Sequence, residues 1–399
     1  MTVASTSAAA EELSISWRPE AIRFSQDPVS GAEVEQLTSD AVISTNIYPE
    51  RRFASADGSR IAISRHPFNQ PSEIWVCDMN SLRLCRIGPL NVTDGNAPLN
   101  AVYYIDHASE AARLIRLDLI ELSTQVLFEF DELRSVKKAV VSVDEKYVAV
   151  GPHLIRDNLY AIKRIDLATG RVGTLFEMED MFNPHLQFNP AGGYQLIVQV
   201  DRGGRPAGSD GRRGEIAWGR TLYVVDAFSG EVTPLPAGRP HTPRISGHEC
   251  WVGSTGRVIF TGGQYNVTAS SYVTIEKEIP ETERHMPPAA IYIAKPGDET
   301  PTILAQDRLF NHLGASDDGR FFVGDDHPTG RIYVGSIATG RSLPLCDSHT
   351  RQGACQHSHV HAYMTPDNRH VIFNSVVTGV AQVYAARVPD GFLDRVLEQ

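Results

Sequence analysis

The chain has no apolar run approaching the roughly 20 residues that a bilayer-spanning helix needs, so no such helix is expected. It is short of basic charge: 37 Lys and Arg stand against 48 Asp and Glu, a formal net charge of −11. That balance argues against nucleic acid or an acidic membrane surface as partner, because both need a basic field. An anionic small substrate stays open, since a few Arg and His suffice for a local positive pocket. The five cysteines (Cys77, Cys85, Cys250, Cys346, Cys355) are odd in number and show no CxxC spacing. They read as buried free thiols in a reducing compartment, which makes a cytoplasmic location the expectation. The opening stretch, MTVASTSAAAEELSISW, lacks the basic and apolar regions of a secretory signal, and residues 1–25 are expected to form a loosely ordered arm. Helical periodicity is almost absent.

What is present is a repeat of β-type segments. FASADGSRIAISR followed by EIWVCDMNSLRLCRI sets the pattern: a polar turn, a β-rich run, a second β-rich run ending near an Asp, and another turn. Later copies begin at VVSVDEKYVAVGP, QFNPAGGYQLIVQV, WVGSTGRVIFTGG, GASDDGRFFVGDD and YMTPDNRHVIFNS, with a degenerate second copy around LNAVYYIDHASEAARLIRL. Alternating β-branched and aromatic residues between Asp-Gly or Asn turns are strand and hairpin signals. Seven such copies predict an all-β fold: a single-domain, seven-bladed β-propeller over residues 26–399. AEVEQLTSD, residues 32–40, reads as a strand that completes the last blade and closes the ring. Two stacked β-sandwiches explain the even spacing less well. Long insertions in copies four and five, GGRPAGSDGRRGEIA and QYNVTASSYVTIEKEIPETERHM, are placed to overhang one mouth of the channel.

Polar residues gather just before the turns of four consecutive copies. NPHLQFNPAGG supplies His185 and Gln187, SGHECWVGSTG supplies His248 and Glu249, FNHLGASDDG supplies His312, and QHSHVHAYMTPD supplies Gln356, His357, His359 and His361. Consecutive blades are neighbours, so these side chains should converge. With a strand period of two, His359 and His361 project to one side and can chelate a divalent metal, with His312 as a third nitrogen. Imidazole suits Zn, Mn, Fe, Ni or Cu, and spacing does not choose among them. Cys355 would join only for a soft metal, and His357 shares the parity of its neighbours without a clear role. The competing reading is a set of polar groups hydrogen-bonded in a wet channel.

These motifs resemble those of the oligogalacturonate lyases, the seven-bladed propellers of polysaccharide lyase family 22. The resemblance rests on Gln356 with His359 and His361 before the Thr365-Pro366-Asp367 turn, on His312 in HLGASDDG, on HECW from His248, on HLQFNP from His185, on RTLYVVD from Arg220, and on DPVSGAEVEQLTSD near the start. It covers roughly the whole chain. Val360 and Ala362 replace prolines of the family pattern, Met364 replaces an aromatic, the fifth turn is GSTG without an Asp, and VDRGGRPAG follows Gln199 where the family has His-Glu-Gly-Pro-Trp.

The resemblance implies β-elimination of 4-linked uronic-acid oligomers, an acidic oligosaccharide as partner, and Mn²⁺ held by His312, Gln356, His359 and His361. It implies His248 as general base and Arg220 as the active-site cation, with His185 and Gln187 contacting sugar. Glu249 is expected to orient a histidine. A non-catalytic propeller is the alternative from another class. A propeller peptidase is set aside, since no G-x-S-x-G nucleophile elbow occurs in the sequence.

Overall fold

The computed structural model describes the chain apart from residues 1–10, 13–14, 89–90, 108–110, 131–135, 137, 206–214, 264, 268–272, 276–280, 282–283, 351–355 and 399. Seven antiparallel sheets follow one another along the sequence as the blades of a propeller. Their first strands are Ile43–Thr45, Asn91–Asn96, Ala139–Val141, Gln187–Phe188, Ile245–Trp251, Phe310–Ala315 and Tyr363–Met364. Each of the other strands in a blade pairs with its predecessor in up-and-down order, as in Phe321–Asp326, Arg331–Ser336 and Ser342–Asp347 of blade six.

The recurrent turn motif has a physical basis that repeats blade by blade. In blades one, three, six and seven a hydroxyl (Ser55, Ser142, Ser316, Thr365) donates to the carboxylate two residues on, at 2.5–2.9 Å. The same hydroxyl accepts the backbone N–H five residues on, at Arg60, Tyr147, Phe321 and His370. Between them one residue takes the left-handed conformation: Gly58, Glu145, Gly319 or Asn368. Gly and Asn enter αL cheaply, which is why the motif reads Ser/Thr-x-Asp-Gly/Asn.

Seven apolar clusters lie between neighbouring blades. One face of every blade therefore packs on the next, as the alternating patterns require. Cys77, Cys85, Cys250 and Cys346 are buried in these layers as free thiols, while Cys355 lies outside the described residues. A short helix, Phe392–Glu398, seats Phe392 and Val396 against blades six and seven.

The ring closes through the N-terminal segment, as the sequence predicts. Glu33–Gln36 pairs antiparallel with Gln382–Arg387 of blade seven. The expected boundary at residue 26 is corrected, however. Ile22–Gln26 pairs with Glu33–Gln36, and Trp17–Pro19 adds a fifth strand to blade one. Glu20 is buried against Arg65 at 2.5 Å. The arm is ordered here because its backbone groups complete two sheet edges and its carboxylate neutralises a buried guanidinium. Of the insertions, 206–214 lies outside the described residues, and the blade-five insertion carries a hairpin of Tyr265–Val267 and Val273–Ile275.

Leu37 follows the closing strand and is fully buried with Ile61, Tyr363 and Val383 between blades seven and one. Leu37→Ala should cost about 2–5 kcal/mol in equilibrium denaturation. A loss well under 1 kcal/mol would mean the closure is not tightly packed.

Candidate metal centre and active site

The first strands of the blades wall a cavity of about 570 Å³ whose lining includes Tyr48, Arg220, His248, Gln356 and His359. The turn motif fixes which side chains reach it. Four residues before the turn anchors Asn189, Val252, Ser316 and Thr365 stand His185, His248, His312 and His361. The offset is shared because each anchor accepts the N–H three residues on, so every blade presents the same register towards the channel. Applied to blades one and three, the offset from Ser55 and Ser142 gives Arg51 and Lys138, and both line the cavity. Sequence reading passed over these two because attention went to histidine.

His312, His359 and His361 converge: one ligand nitrogen from each lies within 4.8 Å of the others. Ring centroids stand 4.5 Å apart for His312 and His361, and 5.1 Å for His312 and His359. The Gln356 amide reaches the His361 Nε2 at 3.1 Å. His312 is fully buried, with Nδ1 3.0 Å from the Asp325 carboxylate. Its Nε2 is buried without a hydrogen bond. A carboxylate on one ring nitrogen leaves a lone pair on the other, the usual setting of a metal-ligating histidine. Burial first, and then the neighbouring imidazoles, hold the His361 pKa well below its ordinary value, so this ring is a neutral donor. The set fits a divalent cation: three imidazole nitrogens and an amide oxygen make an N/O site that suits Mn²⁺ among other metals.

The route to convergence differs from the expected strand alternation. Gln356–Ser358 form a 3₁₀ turn, and His361 takes φ 47° before the strand Tyr363–Met364 begins. The HxH unit thus sits on an irregular approach, pinned by Asn46 Nδ2 donating to the His361 carbonyl and Asn374 Nδ2 donating to that of His359. His357 leaves the cluster altogether and packs on His66, with ring centroids 4.5 Å apart.

His248 stands beside this centre, its ring 4.3 Å from that of His312. Its Nδ1 lies 2.9 Å from the Asn311 carbonyl, which requires the N–H there and leaves the Nε2 lone pair available. Burial lowers its pKa well below the usual value, reinforced by His312, His185 and Arg220. Arg220 donates from Nε to Asp201 at 2.9 Å and from Nη1 to the Ser246 carbonyl. Asp201 faces it across the same blade, so the ion pair is within blade four and not between blades. Gly247, at φ 79°, is required between Ser246 and His248, because a Cβ there would lie 2.9 Å from the Arg220 Cδ.

His185 and Gln187 fare differently from each other. Gln187 is almost fully buried, with Nε2 donating to the Glu249 carbonyl at 2.8 Å and its own carbonyl accepting from Trp251 Nε1 at 3.1 Å. Its amide donates across from blade four to blade five, and the residue also lines the cavity. His185 meets Glu50 at 3.2 Å and Glu249 at 3.5 Å through Nδ1. Glu249 does orient a histidine, but it is His185 and not its neighbour His248. Glu50 and Tyr48, whose ring lies 4.6 Å from that of His361, were not singled out from sequence, since blade one carries no histidine before its turn. Glu50, His185 and Glu249 are close enough to gather around a cation. A protonated imidazole takes the place of a cation between them: burial alone would lower the His185 pKa, but the two facing carboxylates outweigh it and lift it to about 10.

Fold and centre together define a seven-bladed β-propeller with a three-histidine cluster in its channel. No protein-family model matches the chain. It is 23% identical over 399 residues to the oligogalacturonate lyase of Dickeya dadantii, spanning 92% of this chain and 95% of that protein. It is 22% identical over 395 residues to the oligogalacturonide lyase of Pectobacterium atrosepticum, with the same coverage. Among solved structures, an oligogalacturonate lyase in complex with manganese superposes with a TM-score of 0.70 at 18% identity, covering 97% of this chain and all of that one. In sequence and in fold, the chain is similar to the oligogalacturonate lyases along nearly its whole length.

A folded-state pKa raised to about 10 makes the His185 ion pairs stabilising below the ordinary imidazole pKa of about 6.5, with that contribution lost as pH rises through about 10. In denaturation of metal-free protein, the stability difference between wild type and His185→Gln should shrink over that window. A difference that stays flat from neutral pH to beyond 10 would contradict the assignment.

Proposed function

We propose that this chain is a divalent-metal-dependent lyase that cleaves 4-linked oligogalacturonides by β-elimination, with His312, Gln356, His359 and His361 as the metal ligands and Mn²⁺ as the ion. The observation that carries the reading is the cluster of three imidazoles from blades six and seven with His248 of blade five beside it, where His248, Gln356 and His359 form part of one cavity wall. Similarity to lyases of that substrate class along nearly the whole chain supports it. When bound, the cation supplies charge stabilisation for the substrate carboxylate as the adjacent C5–H bond becomes acidic.

The chain's own residues supply the rest. His248 is neutral, and its Nδ1–H is fixed on the Asn311 carbonyl, so Nε2 is the atom that accepts the C5 proton. Electrons of the C5–H bond form the C4–C5 double bond, and the C4–O bond breaks with its electron pair on the departing sugar oxygen. Arg220 is held rigid by Asp201 and the Ser246 carbonyl. Its remaining Nη2 makes no hydrogen bond among the described residues and is the group to meet the departing oxygen or the substrate carboxylate. Asp325 keeps the His312 ring in its ligating tautomer. Gln187 braces the strand that carries His248.

Digalacturonate with Mn²⁺ and the protein should develop the ultraviolet absorbance of a conjugated unsaturated uronate, and a chelator should abolish it. His248→Ala should keep its metal and lose about 10²- to 10⁴-fold in kcat. Metal-loaded wild type that leaves every 4-linked uronide intact would overturn the proposed activity. Turnover retained in His248→Ala would move the base to another residue.

A further inference from the structure

The register that places His185 and His248 on the cavity wall from blades four and five places cations on it from blades one and three. Arg51 and Lys138 occupy the equivalent positions, four residues before Ser55 and Ser142. The two are not alike. Arg51 is largely buried, lies 3.1 Å from Asp94, and donates from Nη1 to the Phe188 carbonyl at 3.1 Å. Its charge is already matched, and its place is structural. Lys138 is exposed on the cavity wall and, among the described residues, forms no ion pair. Glu50 feels its charge but is engaged by His185 at 3.2 Å. Arg220, the other cation of the cavity, is tied to Asp201.

Lys138 also marks where the cavity continues. A second hollow of about 360 Å³ shares Lys138, Gly151, Asn183 and Pro184 with the first, then runs on between Val136, Pro152 and Phe182. The combined space is a groove, with the imidazole centre reached through one part and Lys138 standing where the two parts join. An oligouronide in such a groove carries one carboxylate per sugar. If the carboxylate of the unit being cleaved lies at the imidazole centre, the next one needs a second counter-charge. An ammonium on a flexible stem, without an ion pair among the described residues and lining the cavity, supplies it.

We propose that Lys138 binds the carboxylate of the uronate unit adjoining the one that is cleaved, and so sets the preference for an oligomeric, unesterified substrate. This inference rests on the lyase reading for its ligand, although binding can be measured without turnover. The probes are digalacturonate with both carboxylates free and the same disaccharide with the carboxylate of the other, uncleaved unit methyl-esterified. Calorimetry is run in the presence of Mn²⁺ on His248→Ala protein with wild-type Lys138, Lys138→Met or Lys138→Arg, and kinetics on the same three forms with His248 intact.

Lys138→Met should weaken binding of the diacid about tenfold, the scale of one charge-assisted contact, and raise KM to match, with a much smaller effect on kcat. Lys138→Arg should recover most of that affinity. For the monoester, wild type and Lys138→Met should bind alike. Equal affinity of wild type and Lys138→Met for the diacid overturns the proposal, as does an equal penalty for diacid and monoester. Tight, Lys138-dependent binding of the diacid without turnover would sustain this assignment while sinking the lyase reading.

Discussion

Pairing of Glu33–Gln36 against Gln382–Arg387 is the constraint on which the site depends. The groups that face the cavity come from Tyr48 in blade one round to Gln356 and His359, which lead into blade seven. They meet only if the ring is closed, because blades one and seven are otherwise the two free ends of a row of sheets. Closure joins them through hydrogen bonds and through a layer of buried apolar side chains in which Leu37 sits beside residues of both blades. It also brings Tyr48 and Asn46 of blade one against His361 of blade seven, fixing the ring and the carbonyl of one histidine. Ring geometry is thus the positioning device for the chemistry, and no single blade carries a site alone.

Within the ring, charge is sorted by what each group is bonded to. His248 and His361 are buried near other imidazoles and are held neutral. His185 is buried between two carboxylates and is held protonated. The same residue type, at the same offset from the turn, acquires opposite charge states from its partners. The anchored arginine and the imidazolium both stand beside His248, and each is paired with carboxylates, Asp201 for Arg220 and Glu50 and Glu249 for His185.

Most of the architecture was legible because it is written in short-range terms. The Ser/Thr-x-Asp turn needs a hydroxyl, a carboxylate and an αL residue at fixed spacing, and it recurs visibly enough to mark blades one, three, six and seven and to locate His312 and His361, while looser Gly-containing turns mark His185 and His248. The closing strand showed its alternation before any partner was known. What was not legible depends on long-range packing. Strand parity put His357 with His359 and His361, but a 3₁₀ turn and an αL residue broke the period and turned His357 towards His66. Gln187 carries no local sign that blade five supplies a carbonyl to its amide. Glu50 and Tyr48 carry no local signal, and ordering of the segment from Trp17 reflects sheet edges that exist only once blades one and seven are built.

On the proposed function, one cation is shared by side chains of blades six and seven. Anomalous diffraction at the manganese edge, from crystals of the wild-type protein grown with Mn²⁺, tests it most directly. The account predicts a strong peak within bonding distance of ring nitrogens of His312, His359 and His361 and beside the Gln356 amide. Crystals that contain manganese but show no peak there, or show those rings turned away from a common point, would contradict it.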